Sequence, residues 1–349
     1  MSRQASSSRL ERALLQAWTR RGLLARLLWP LSLLYGLIFA LRRALYQQGF
    51  LHSTRLPVPV IVVGNVVAGG GGKTPTVVAI VDHLRQRGLR PGVLSRGYGR
   101  LGTDCREVLP DSPANEVGDE PLLIHRACNV PVFVAPQRAV AGQALLARHP
   151  EVQLLVCDDG LQHAALQRDI ELCVFDDRGI GNGWLLPAGP LREPWPRRVD
   201  LVLHTSRKTM DVGYGARRAL ADHARRADGT AVPLATLHGQ PLLALAGIAR
   251  PEAFFDMLRA RGLTLADTVA LPDHFDFAQW SDPRALDHVL LCTEKDAVKL
   301  WRHHPEALAI PLVFAPEPAF IAALDNALAP WFPTPAGAPL SSPDGHQTT

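Results

Sequence analysis

The stretch VPVIVVGNVVAGGGGKTP, residues 58–75, decides the fold. Its first part, VPVIVVG (58–64), is an apolar run rich in β-branched residues. Such a run reads as a strand buried on both faces, as in a parallel sheet covered by helices. Its second part, GNVVAGGGGKTP (64–75), places four consecutive glycines before a lysine and a threonine. Glycines there let backbone N–H groups turn inward around phosphate oxygens, at the positive end of a following helix. The strict pattern G-x4-G-K-[ST] needs glycine at 67, where this chain has Val67. The match is therefore a variant, resting on Gly69, Gly70, Gly72, Lys73 and Thr74. In this reading Lys73 reaches the β- and γ-phosphates of ATP and Thr74 gives its hydroxyl to Mg²⁺. Pro75 falls in the first helical turn, where its missing N–H costs nothing.

A phosphate loop needs an acid at the end of a neighbouring strand to hold the metal or its water. QLLVCDDG (153–160) supplies Asp158 and Asp159 where a second buried run gives way to Gly160. Further out, apolar runs at 91–95, 131–135, 171–176 and 200–204 alternate with helical stretches at 75–87, 118–128 and 136–148. That alternation predicts an α/β fold of the P-loop NTPase type, a mainly parallel sheet with helices on both faces. A second βα series predicts a smaller C-terminal α/β lobe: strands at 242–247, 288–293 and near 311–314, helices at 251–261 and 294–302. The expected domains are a basic apolar segment (1–50), a P-loop core (51–205), an inter-lobe connection (206–240), the C-terminal lobe (241–332) and a disordered tail (333–349) rich in Pro, Gly and Ser.

The charge distribution narrows the partners. The formal net charge is +4, yet residues 1–50 hold eight Arg against one Glu, which is +7. The rest of the chain is therefore about −3, by subtraction, and has no overall basic excess for a nucleic-acid groove. Within the basic segment, LLWPLSLLYGLIFAL (27–41) is apolar and uninterrupted by charge. Those fifteen residues fall short of the roughly 20 needed to span a bilayer as a helix. Six arginines precede them and two follow closely, so a single span obeying the positive-inside rule would strand the ATP site outside the cell. A helix or hairpin lying in the cytoplasmic leaflet, with Trp29 and Tyr35 near the headgroups, avoids that contradiction. The alternative is a buried helix of the soluble core. The five cysteines form no C-x-x-C pair, which suits a reducing compartment. Only four lysines occur, at 73, 208, 295 and 299.

Beyond the phosphate loop, the ordered motifs SRGYG (95–99), GDEPL (118–122), DDGLQH (158–163), LPAGPLREP (186–194), LAGIARPE (245–252), DHFDF (273–277) and TEKDAVK (293–299) resemble the tetraacyldisaccharide 4′-kinase family of lipid A biosynthesis. The resemblance runs from about residue 57 to 330, and the basic apolar N-terminus fits it. Gly71 departs from it, since the family commonly has Thr there; the needed backbone N–H is kept. The resemblance implies transfer of the ATP γ-phosphate to the 4′-hydroxyl of a tetraacyldisaccharide 1-phosphate, giving lipid IVA. It places the protein at the cytoplasmic face of the bacterial inner membrane, with no nucleic-acid ligand and no obligate protein partner.

Read as residues, Asp119 is equally a first-turn helix acid, and His274 equally a solvated loop histidine. The resemblance implies instead that they form an Asp–His catalytic pair. It also aims Arg192 and Glu193 at the active site, Arg192 balancing phosphate charge. Arg138, in PQRAV (136–140), and Gln162 and His163 are the matching candidates for the lipid headgroup. A P-loop switch that hydrolyses nucleotide with water is the competing class. A guanine-reading N-K-x-D motif is absent from the chain.

Overall fold

The computed structural model describes residues 14–69, 71–205, 210–273 and 275–333. Gly70, His274, the first thirteen residues and the tail from 334, all bearing on the expectations above, lie outside the described residues. Among the described residues the strands form two sheets, of nine and six strands.

The larger sheet is built outward from β1 (Val60–Gly64), every residue of which is buried. β2 (Pro91–Ser95), the short β3 (Arg106–Glu107), β4 (Val132–Val134), β5 (Leu154–Asp158), β6 (Ile170–Phe175) and β7 (Leu201–His204) follow in the chain. β1 lies between β5 and β6, parallel to both. Val63 pairs with Asp158 and Gly64 with Cys173. The register therefore brings the β5 and β6 C-terminal ends up beside the glycine loop. Chains leaving β1 go one way to β2 and return the other way through β5 to β6. The loop thus sits at a topological switch point, where open α/β sheets bind ligands.

Helices cover both faces. On one, α2 (Lys73–Gln86) buries Val77, Ile80, Val81 and Leu84, spaced at helical intervals. α4 (Asp119–Cys128), which follows the single turn α3 (Ala114–Val117), adds Leu122 and Ile124 to the same core. On the other face α5 (Arg138–Arg148) packs Ala141 and Leu145 with Leu161, Leu166 and Leu191.

Residues 206–240 were expected to be a plain connection, and the described part is more than that. β8 (Tyr214–Leu220) extends the large sheet, while β9 (His223–Arg225) and β10 (Ala231–Pro233) form an antiparallel edge of the small one. The small sheet is completed by β11 (Leu242–Ala246), β12 (Leu265–Ala270), β13 (Val289–Thr293) and β14 (Leu308–Ile310). α6 (Pro251–Ala260) and α7 (Glu294–Leu300) cover it.

The single strand expected near 311–314 is two strands. Pro311, which has no N–H to donate, separates β14 from β15 (Leu312–Pro316), and β15 returns to the large sheet antiparallel to β8. α8 (Pro318–Leu328) then seals Phe320, Leu324 and Leu328 into the large-sheet core. The adjacent arginines of β8, in YGARRAL, hid it from a search for apolar runs.

α1 (Leu23–Gln47) precedes all of this. It is long and apolar enough to cross a membrane by length and composition, and only 11% of its most apolar window is buried. Leu23, Leu27, Leu31, Leu34, Leu37, Ile38 and Leu41 are exposed, whereas Ala25 and Ser32 are buried against the protein.

Candidate active site

Gly72 caps the start of α2 with φ 98°. A Cβ there would lie 2.5 Å from the Thr205 methyl, so both conformation and space demand glycine. Lys73 and Thr74 open the helix, and Pro75 is its third residue. The Lys73 ammonium donates to Asn65 Oδ1 at 3.3 Å and lies 3.9 Å from Asp159 Oδ1. Gly69 takes positive φ, and the Gly71 N–H donates to Asp176 Oδ2 at 3.0 Å.

Asp158 ends β5 and is buried; its Oδ1 meets no hydrogen-bond donor among the described residues. Burial first, then the nearby Glu120 and Asp159 charges, push its carboxyl up to about 7, against the pull of Lys73 and Arg138. A buried carboxylate oxygen with no donor is costly unless a cation completes it. Asp159 turns away at positive φ and is gripped by both oxygens, 3.0 and 3.1 Å from Arg192 Nη1. Burial opposes its charge, but Lys73 and Arg192 overcome this and hold its carboxyl below the usual range.

Arg192 and Glu193 follow a segment that runs beside the loop: Ala68 N donates to Pro190 O at 2.8 Å and Arg192 N to Val66 O at 2.7 Å. Glu193 is buried and accepts from Gln162 Nε2 at 2.7 Å. Gln162 also donates to Asn65 O at 3.0 Å. Arg138 is buried at the start of α5 and donates to Asp159 O at 3.3 Å. Its backbone N–H donates to His163 Nε2 at 3.4 Å. Burial, reinforced by Arg138, Arg168, Arg42 and Arg96, lowers His163 to about 4, so the ring is neutral at physiological pH. All five candidate substrate-binding residues therefore lie in one network around Asp159.

Asp119 is buried at the head of α4 and pairs with Lys299 Nζ at 2.8 Å. Lys295 lies 3.1 Å from Asp273 and 3.7 Å from Glu120. α7 of the small lobe thus brings two of the four lysines to acids at the mouth of the large one. The expected pairing of Asp119 with His274 lies outside the described residues.

Sequence reading missed Lys299, and the scarcity of lysine was the available signal. It also missed Asp176 and Arg178, just past the end of β6. Arg178 grips Asp176 with Nη2 at 2.7 Å and donates to Gly69 O. The FDDRG stretch (175–179) ending a strand was the overlooked clue.

Among the described residues no group of three or more His, Cys, Asp and Glu is placed to hold a metal. A P-loop site asks less of the protein, since phosphates and water fill most of the coordination shell. The donorless Asp158 oxygen beside Lys73 fits that requirement.

A glycine loop between a buried strand and a helix, with a strand-end acid beside it at a sheet switch point, defines a P-loop nucleotide-binding protein. The family model described as tetraacyldisaccharide-1-P 4′-kinase matches residues 24–329. A tetraacyldisaccharide 4′-kinase from Acidovorax sp. (strain JS42) is 62% identical over 334 residues, 94% of this chain and 98% of that one. Another, from Polaromonas naphthalenivorans (strain CJ2), is 59% identical over 348 residues, covering 97% and 100% of the two chains. The crystal structure of "apo" form LpxK from Aquifex aeolicus in complex with ATP superposes with a TM-score of 0.76 at 29% identity, covering 87% of this chain and 99% of that one. The chain belongs to the tetraacyldisaccharide-1-P 4′-kinase family.

Proposed function

We propose that the protein transfers the γ-phosphate of ATP to the 4′-hydroxyl of a tetraacyldisaccharide 1-phosphate, giving lipid IVA and ADP. The observation that carries this reading is the constellation at the end of β1: Lys73 at the helix start, 3.9 Å from Asp159, with buried Asp158 beside it. Family membership supplies the acceptor.

Lys73 and the loop N–H groups hold the β- and γ-phosphates. Thr74 and Asp158 would hold Mg²⁺, and Asp159 is committed to Arg192 and Lys73 beside them. The chemistry the ion supplies when bound is neutralisation of charge on the phosphate oxygens. The 4′-oxygen forms a bond to Pγ as the bond from Pγ to the β-bridging oxygen breaks, and ADP carries off the electron pair. The hydroxyl proton passes to the Asp119–His274 pair. Lys299, 2.8 Å from the Asp119 carboxylate, holds it in place for that task. Arg138, Gln162, His163, Arg192 and Glu193 receive the lipid headgroup, with the guanidinium groups facing its phosphate.

The exposed apolar side of α1 supports binding at the cytoplasmic leaflet of the inner membrane. Its other side is spent on the protein: Ser32 donates to Leu185 O at 2.8 Å and Tyr35 to Arg192 O at 2.7 Å. A helix so committed on one side suits an interfacial position rather than a span surrounded by lipid.

The test is incubation of the purified protein with ATP, Mg²⁺ and tetraacyldisaccharide 1-phosphate, with a water-only control. The lipid gains the mass of one phosphoryl group, and ATP consumption falls to background without it. Equal ATP hydrolysis in the control, with no lipid product, would mean a nucleotide switch instead.

A further inference from the structure

We infer that Tyr35 and Ser32 of α1 are positioning residues for phosphoryl transfer, acting through the 185–193 loop on Arg192. This rests on the transfer reaction proposed above. α1 has two sides with different chemistry. The outward side is leucine-rich and exposed. The inward side touches one segment by polar contacts that a tether does not need.

The Ser32 hydroxyl is buried and satisfies two backbone groups, donating to Leu185 O at 2.8 Å and accepting from Ala188 N at 2.9 Å. It therefore fixes both ends of the same turn. One helical turn on, Tyr35 donates to Arg192 O at 2.7 Å. Gly36 lets the helix approach this closely, since a Cβ there would fall 2.9 Å from Leu185 Cδ1. Trp29 meets Trp184 with ring centroids 6.3 Å apart, and Arg21 lies over the same indole at 5.1 Å.

The far side of the loop is the active site. Leu191 bridges Val67, and Arg192 N donates to Val66 O at 2.7 Å, so the loop lies between α1 and the start of the glycine loop. The Arg192 side chain then reaches Asp159 at 3.0 Å, and Asp159 faces Lys73 at 3.9 Å. A continuous set of contacts thus leads from a helix with a leucine-rich outer face to the phosphate-binding lysine. The Tyr35 hydroxyl fixes the backbone from which Arg192 projects. A guanidinium displaced by even about 1 Å from its working position loses much of its effect on the rate.

The experiment uses the full-length protein on tetraacyldisaccharide 1-phosphate dispersed in detergent, so that membrane attachment no longer limits the rate. Tyr35→Phe keeps the ring and removes the hydroxyl. Its kcat is expected to fall about tenfold, with the KM for ATP within about twofold and binding to anionic phospholipid vesicles unchanged. Added to Arg192→Ala, it is expected to cause no further loss, because a residue acting through Arg192 has nothing left to position. A merely structural contribution would multiply with Arg192→Ala. Wild-type kcat in Tyr35→Phe, or multiplicative losses, would overturn the assignment.

A second readout does not depend on the acceptor. Ser32→Ala frees the Ala188 N–H, and its hydrogen exchange is expected to quicken along with that of the 185–192 backbone. Unchanged exchange would overturn the assignment. If the wild-type protein phosphorylates no lipid, the proposed function fails, and the exchange experiment still decides whether α1 orders this loop.

Discussion

The strands on either side of β1 each deliver an aspartate to the glycine loop, and the two aspartates live in opposite surroundings. Asp158, on the β5 side, is buried with a donorless oxygen and a carboxyl raised to about 7. Asp176, on the β6 side, is filled by the Gly71 N–H and the Arg178 guanidinium, which outweigh burial and hold its carboxyl low. The residue type is the same, one ending β5 and the other just past the end of β6; the donors that reach them differ. A satisfied carboxylate is structural mortar, whereas one left without donors has kept its lone pairs for something that arrives later. The β5 side is where chemistry is expected, and the β6 side is where the loop is braced.

The largest test of that contrast removes the cation on the reactive side. Lys73→Ala should lower turnover by about a thousandfold while circular dichroism stays that of the wild type. Near-normal turnover would remove the phosphate loop from the mechanism. Next comes the direct comparison of the two acids. Asp158→Asn should cost about a hundredfold or more in kcat. Asp176→Asn should chiefly loosen the loop, raising the KM for ATP by about tenfold or less with kcat within about threefold, as expected for one charge-assisted hydrogen bond. Equal kcat losses in both variants would erase the distinction.

The smallest effect is on stability against pH, and there the two acids should differ in sign. Asp158 in the folded protein holds its proton to about pH 7, while the unfolded chain releases it near 3.8. Between those values the native state binds more protons, so its stability falls as pH rises. Asp158→Asn should therefore raise Tm relative to wild type by a margin that opens between about pH 4 and pH 7. The depressed carboxyl of Asp176 stabilises the fold above 3.8, and that stabilisation is lost as pH falls through its folded value. Asp176→Asn should lower Tm at neutral pH, with the deficit closing in acid. Thermal melts of the nucleotide-free variants across pH 3 to 8 measure both.

How much of this was legible in the chain follows from what each part is made of. β1, β2, β5 and β6 were readable because a strand buried on both faces must be apolar throughout. Lys73, Thr74, Asp158 and Asp159 could be singled out as candidates because phosphate chemistry asks for those residue types at fixed spacing. β8 was not, since a strand with adjacent arginines at 217 and 218 has no continuous hydrophobic signature. Asp176 and Arg178 carry their roles through contacts with a loop about a hundred residues away, which spacing alone does not reveal. The attachment of α1 to the site escaped for a similar reason. Ser32 and Tyr35 bond to backbone carbonyl and amide groups, and backbone partners leave no pattern in side-chain identity. The apolar run at 27–41 read as a membrane segment or as a buried core helix, and nothing in it marks the side that faces Leu185 and Arg192.

The central claim is that the γ-phosphate goes to one hydroxyl of a lipid disaccharide and not to water. A single-turnover reaction with γ-labelled ATP, run in parallel on tetraacyldisaccharide 1-phosphate and on the same lipid lacking the 4′-hydroxyl, tests it most directly. Label should move into the intact acceptor and into nothing else, and the 4′-deoxy lipid should leave ATP unspent. Label released as inorganic phosphate at the same rate with either lipid, or phosphorylation of the 4′-deoxy lipid elsewhere, would contradict it.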